Sequence, residues 1–280
     1  MKKIIKWLII IFLFLFIVII YARYIGTSGL ITKEYAIYDK DIDDDFDGLK
    51  VVHLSDLHYK RAISLDKVKS IVDEINLINP DIVVFTGDLV DKDAVLNVND
   101  YDDLADCLIK INARYGKYAI LGNHDYKRRE KIISLYETTN FKYLDNDSDI
   151  IYGNNSQIFI GGINTVSYKK DDIDKTLEKL DDESLQYRIV LVHEPDISDK
   201  IAEHDVNLIL AGHSHNGQVR LPFIGAIAKP KNAKKYYDNY YNINGTKLYV
   251  SSGIGVSTAN YRLWNRPSIN FYRINKKTSK

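Results

Sequence analysis

The chain has 280 residues, and its 38 Lys+Arg balance 38 Asp+Glu, so the formal net charge is zero. That balance excludes a strongly basic nucleic-acid binder and an acidic tail protein, and 45% hydrophobic with 27% charged residues excludes wholesale disorder. Cys107 is the single cysteine, which excludes an intramolecular disulfide, a Cys-rich zinc module and an iron–sulfur cluster.

Trp7 to Ala22 is an uninterrupted apolar run, preceded by Lys2, Lys3 and Lys6 and followed by Arg23. As a helix it spans about 24 Å, and the flanking cations lengthen its reach by snorkelling. The run predicts a transmembrane anchor over residues 1–23, with a cleaved signal segment as the alternative. On either reading the lysines stay inside and the rest of the chain is exported. Residues 24–47 read as a linker, and the acidic run Asp39 to Asp47 as a solvated linker or edge segment.

From there apolar runs alternate with helical patterns. Leu49–Leu54 reads as a buried strand ending at Ser55-Asp56. Leu65, Val68, Ile71, Val72, Ile75 and Ile78 recur at helical spacing up to Asn79-Pro80. Further strands are expected at 81–86, 117–121, 158–162, 188–192 and 206–211, with helices around 104–111, 127–138 and 171–180. Shorter strands follow at 218–221, 236–243, 248–250 and 269–273. This pattern predicts one α/β domain over residues 48–275.

Ligands in α/β sheets collect beyond the carboxyl ends of strands. Here those ends carry Asp56-Leu57-His58, Gly87-Asp88, Gly122-Asn123-His124-Asp125, His193 and Gly212-His213-Ser214-His215. Five of the seven histidines fall in these segments. A thiolate-free set of Asp, His and Asn suits Mn, Fe or Zn. Seven donors are too many for one tetrahedral ion and suit two ions sharing a carboxylate, the arrangement that serves phosphoryl displacement.

The ordered blocks SDLH, TGD, GNHD, VHEPD and GHSH resemble those of the calcineurin-like metallophosphoesterases. GHSHNGQVRLP, LYVSSGIG and YRLWNRP look like the membrane-associated bacterial branch of predicted phosphohydrolases and phosphodiesterases. The resemblance implies a four-layer αββα sandwich of two mixed sheets. It also implies two divalent metal ions, with Asp56, His58 and His215 holding the first, Asn123, His193 and His213 the second, and Asp88 bridging both. By the same resemblance a water between the ions attacks phosphorus, His124 assists the leaving group, and Asp125 orients His124.

The expected activity is therefore hydrolysis of phosphodiesters, lipid or cell-envelope substrates among them, by a membrane-anchored, extracytoplasmic enzyme. The alternatives are a phosphomonoesterase, a lipid pyrophosphatase of the same superfamily, or a non-catalytic scaffold. No nucleic-acid partner is expected, since the sequence has no basic stripe. His53 reads as a packed core histidine, His204 as a surface one and Cys107 as buried and inert. Arg262 is expected either to meet substrate phosphate or to form a structural ion pair. Tyr59 and Asn216 flank ligands and are candidates for shaping the pocket. Tyr236, Tyr237, Tyr240 and Tyr241 are expected to pack on a sheet or to face the membrane.

Overall fold

A computed structural model describes residues 1–61, 63–181 and 185–277. The apolar run forms helix α1 (Lys2–Ile20), continued by a wider turn over Tyr21–Ile25. Together they are long and apolar enough to cross a membrane, and none of the apolar window is buried against the rest of the chain.

Strand β1 (Ile31–Asp39) comes next, followed by β2 (Leu49–Leu54), helix α2 (Leu65–Ile78), β3 (Ile82–Phe85), helix α3 (Val98–Leu108) and β4 (Gly116–Ala119). Helix α4 (Arg129–Thr138) leads to β5 (Phe141–Tyr143), β6 (Asp147–Tyr152) and β7 (Gln157–Gly162). Then come α5 (Ile173–Leu177), β8 (Leu185–Val192), α6 (Ser198–Ile201) and β9 (Leu208–Ala211). The small hairpin β10 (Arg220–Leu221) and β11 (Gly225–Ala226) precedes β12 (Tyr240–Ile243), β13 (Thr246–Val250) and β14 (Ser268–Lys276).

Two six-stranded mixed sheets result, ordered β1-β14-β2-β3-β4-β5 and β12-β13-β9-β8-β7-β6. Their facing sides share one apolar layer, in which Val51, Ile82, Val84 and Ile120 meet Ile158, Ile189, Leu208 and Leu210. The opposite sides of β2 and β3, with Val52, Leu54, Val83 and Phe85, pack on α2, α3 and α4. The outer side of the second sheet, with Val190, Val192 and Ile209, packs on Leu177 of α5 and Ile201 of α6. This is the expected αββα sandwich. Strands buried on both faces explain why 82–85 reads as an unbroken apolar run and 49–54 as one interrupted by Lys50 and His53.

Local signals set the boundaries of α2. The Ser64 hydroxyl accepts from Lys67 N at its start, and Asn79, at φ 51°, ends it before Pro80.

The expected linker over 24–47 is corrected by the structure. Residues 31–39 form an edge strand, paired in parallel with β14 from Ile31↔Ser268 to Asp39↔Lys276. Only Ile37 and Asp39 of this strand are buried, so its sequence shows little alternation. Its partner also lies at the far end of the chain. The tyrosine-rich segment packs on the second sheet. Tyr236 and Tyr241 sit edge to face at 4.9 Å, and Tyr240 packs on Tyr249. His53 is buried between Thr86 Oγ1 (2.8 Å) and Tyr272 OH (3.3 Å), and His204 is exposed.

Lys117 on β4 is buried, with its ammonium 4.9 Å from the Phe141 ring and 3.4 Å from the Leu108 carbonyl. Burial pushes its pKa from 10.5 down to about 8. Below that pH folded and unfolded chains both carry the charge, so folding bears the full desolvation cost. Between about 8 and 10.5 the unfolded chain holds a proton that the folded chain has released, so stability rises with pH. Lys117→Met is therefore expected to stabilise the protein by about 1–2 kcal/mol at pH 7, discounted for partial screening. The gain should shrink toward pH 10. Urea titrations of both proteins at the two pH values check this, and a less stable variant at pH 7 would contradict it.

Candidate metal centre

The candidate ligands sit on loops that leave β2, β3, β8 and β9 and the segment after β4. Asp56, His58, Asp88, His213 and His215 all adopt positive φ, between 47° and 65°. Non-glycine residues rarely take this conformation, and its concentration here marks a strained, functionally constrained site. The loops approach so closely that only glycine fits between them. A Cβ on Gly122 would stand 2.2 Å from Asp88 Oδ1, and one on Gly212 would stand 1.9 Å from Ser55 Oγ.

Six of the seven predicted ligands converge. His58 Nε2 and His215 Nε2 are 3.2 Å apart, and His215 Nε2 is 3.3 Å from Asp56 Oδ1. Asp88 Oδ2 lies 3.7 Å from His58 Nε2 and 3.4 Å from His193 Nε2. Asn123 Oδ1 is 3.1 Å from His193 Nε2. His193 Nδ1 donates to the Thr86 carbonyl at 2.7 Å, which turns Nε2 toward the cluster. His213 stands at the rim. Its ring centroid is 5.0 Å from that of His193, and its Nε2 donates to the Lys231 carbonyl at 2.8 Å, leaving Nδ1 for the site.

Asp56 is fixed by the Ser55 hydroxyl (2.6 Å) and the His213 amide (3.1 Å). Burial alone would raise the pKa of Asp56 and Asp88, but the facing histidines outweigh it and hold both below the usual carboxylate range. Buried carboxylates converging with imidazole nitrogens, and with no thiolate, make a donor set that fits divalent cations. The groups Asp56–His58–His215 and Asp56–Asp88–His193 each bring their donor atoms within 4.8 Å of one another.

His124 is buried beside this cluster, its ring centroid 4.6 Å from that of His58. Asp125 does not play the part expected of it. Its Oδ2 accepts from the amides of Asp88 (2.7 Å) and Gly122 (3.0 Å), and its Oδ1 from Val90 (3.2 Å). It ties the β3 and β4 loops together. The carboxylate beside His124 is Asp91, which the sequence reading missed: Asp91 Oδ2 is 3.5 Å from His124 Nδ1 and 3.3 Å from His58 Nδ1. The available signal was its spacing from Asp88, which returns the chain to the same side of the loop.

Among the described residues Arg262 forms no ion pair. Its guanidinium is fully buried and donates to the carbonyls of Ser252 (2.6 Å), Gly253 (3.1 Å) and Gly255 (2.6 Å), close to His215 Nδ1 (3.3 Å). Tyr59 is buried in the β2–β3 core, and Asn216 is buried under the β10–β11 hairpin.

Buried histidines and carboxylates at the strand ends of an αββα sandwich define a metal-dependent hydrolase of phosphoesters. The sequence profile of the calcineurin-like phosphoesterases matches residues 49–217, and the chain belongs to that family. It is 33% identical over 257 residues to the uncharacterised metallophosphoesterase YkuE of Bacillus subtilis, covering 91% of this chain and 88% of that protein. It is 26% identical to the phosphodiesterase YaeI of Escherichia coli, over 79% of this chain and 80% of that one. A zebrafish transmembrane protein with a metallophosphoesterase domain is 27% identical over 81% of this chain, which spans only 53% of that protein.

Proposed function

We propose that the protein is a phosphodiesterase anchored by α1, with its domain on the outer side of the membrane and acting on lipid or cell-envelope phosphodiesters. The observation that carries the chemistry is the position of Asp88 Oδ2, shared between the His58 and His193 donor sets. Asp56, His58 and His215 would hold one divalent ion and Asn123, His193 and His213 a second, with Asp88 placed to serve either. Two such ions, drawn from Mn, Fe and Zn, supply Lewis acidity toward a phosphoryl oxygen and an acidified water.

The protein's own groups complete the reaction. Asp91 faces His58 Nδ1 and so turns the opposite nitrogen to the site. Asp91 Oδ2, 3.5 Å from His124 Nδ1, would accept the Nδ1 proton of a protonated His124, which leaves Nε2 to give its proton to the departing oxygen and the ring neutral afterwards. Support for a diester substrate comes from the name of the YaeI relative. Support for the anchor comes from the exposed apolar α1 and the lysines that precede it.

The test uses the full chain in detergent, stripped by a chelator and reloaded with Mn, Fe or Zn. Metal-restored cleavage of a chromogenic diester, faster than that of the matching monoester, is the expected result. Preference for the monoester would replace the diesterase with a phosphatase. A chain that binds no ions and cleaves neither substrate would leave a non-catalytic scaffold. A reporter fused at the C-terminus that works only in the cytoplasm would reverse the topology.

A further inference from the structure

The foot of α1 closes a cavity of about 450 Å³ against the body of the protein, lined on the helix side by Tyr21 and Gly26. The joint is tight. Arg262 N donates to the Ala22 carbonyl at 2.8 Å, and a Cβ on Gly26 would stand 2.0 Å from the Arg262 carbonyl oxygen. Lys33, Arg220, Arg262 and Arg266 line this cavity, against one carboxylate, Asp238. Arg220 pairs with Asp238 at 2.7 Å. Among the described residues Lys33 Nζ reaches only neutral oxygens, Asn239 Oδ1 (3.3 Å) and Ser252 Oγ (3.0 Å), and Arg266 Nε donates to the Gly29 carbonyl. Burial and the nearby Arg262 and Arg220 push Lys33 down to about 8, as expected where positive charge lacks a counterion.

The rim of the cavity is apolar. Trp264 lines both this cavity and the adjoining one under the β10–β11 hairpin. Phe223 and Ile224 at the hairpin tip are exposed, as is Trp264. Three large apolar side chains grouped in water beside an apolar helix mark a surface that another phase covers.

We propose that this cavity binds the phosphate of an anionic phospholipid headgroup, with Phe223, Ile224 and Trp264 seated in the adjoining acyl region. The inference rests on the reading of α1 as a membrane span. The occupant follows from depth: a helix that crosses the bilayer sets its last turn at headgroup level, so a cationic cavity lined by that turn opens on lipid phosphates. Arg266 offers the forked donor geometry that phosphate oxygens accept. The seat also brings the metal centre to the bilayer. Strand β10 begins five residues after His215, and Asn265, next to Trp264, holds the His215 carbonyl through its side-chain amide. A phosphodiester carried in the same leaflet would then lie close to the candidate ligands.

The test uses the full chain in an uncharged detergent. Phosphatidylglycerol in large excess over its Kd is expected to raise Tm by about 5 °C. Phosphatidylcholine and inorganic phosphate are expected to leave Tm unchanged. The double variant Lys33→Met, Arg266→Gln should lose most of the shift and keep the wild-type rate on a soluble chromogenic diester. An equal response to phosphatidylcholine, or a full shift in the double variant, overturns the site. An equal response to inorganic phosphate makes it a free-anion site and overturns the lipid.

In a Trp7→Phe chain, Trp264 is the only tryptophan, since the sequence has two. Its emission should fall sharply in bilayers whose phosphatidylglycerol carries brominated acyl chains, and an unquenched Trp264 overturns the insertion. A wild-type chain that shows the lipid shift but cleaves no diester would sink the proposed hydrolase activity and leave this inference standing. A chain released from membranes by alkaline extraction would remove its basis.

Discussion

Asp88→Asn is expected to lower the metal-restored rate by about 10³-fold or more, the loss of about 4 kcal/mol of transition-state stabilisation. The substitution is chosen to spare the fold. Asp88 Oδ1 accepts from the His124 amide at 2.7 Å, and an asparagine oxygen at that position keeps the bond. What changes is Oδ2, the atom facing His58 and His193. Asparagine replaces it with a neutral donor, which cannot share its lone pairs between two cations. Bound metal should fall from about two ions per chain to one or fewer, while Tm of the metal-free protein should stay close to wild type. Elemental analysis and a rate on the chromogenic diester read both effects. A variant that keeps two ions and a rate within tenfold of wild type would show that Asp88 does not bridge. Alanine would be a poorer choice, because it would strand the buried His124 amide and mix a packing defect with the loss of a ligand.

The core strands and the ligand blocks were legible in the sequence for one reason. Buried parallel strands write largely apolar runs, and the ligand-bearing runs here meet a glycine, an aspartate or a histidine within two residues of their ends, so the runs and the chemistry mark each other's ends. The same logic fails at the edges. Strands β1, β5 and β6 are half-exposed and carry Thr, Lys, Glu, Asp and Ser, so no run announces them. The partner of β1 lies more than 230 residues away in sequence, beyond the reach of any window.

Side-chain roles at the site were less legible than its membership. Asp125 follows His124 directly, and adjacency suggested that one orients the other. The turn after His124 instead carries the Asp125 carboxylate inward, while the loop after β3 returns Asp91 to the imidazole. Nor does the sequence disclose that five of the candidate ligands take left-handed backbone, since Asp and His enter that region more often than other side chains but still only occasionally. The cationic cavity at the foot of α1 is a product of tertiary structure alone. Lys33, Arg220 and Arg266 are far apart in the chain, and although Arg220 and Arg266 lie in the GHSHNGQVRLP and YRLWNRP blocks, nothing in those blocks places them in one cavity.

Asp125→Ala is the second change with a large expected effect, and its signature differs from that of a ligand. The Asp125 carboxylate is fully buried and accepts three backbone N–H groups, from Asp88, Gly122 and Val90. Alanine leaves all three without a partner in a dry interior, at about 1–3 kcal/mol each, with a combined loss near 4 kcal/mol once the loops relax. For a domain of this size that corresponds to a fall in Tm of about 8–16 °C. Asparagine should lie between alanine and wild type, since its single oxygen can still serve the Asp88 and Gly122 amides. Because the β3 and β4 loops carry Asp88 and Asn123, activity should fall in step with metal retention, and excess metal should restore part of it. Asp91→Asn should behave in the opposite way. Asp91 faces His58 and His124 and also pairs with Arg61 Nη1 at 3.3 Å, a bond an asparagine oxygen can keep, so stability should fall by less than in Asp125→Ala while slow-leaving diesters lose rate about 10–100-fold. If Asp125→Ala kept the wild-type Tm and lost only its rate on poor leaving groups, Asp125 would be acting on His124 after all, and the strut assigned to it would be wrong.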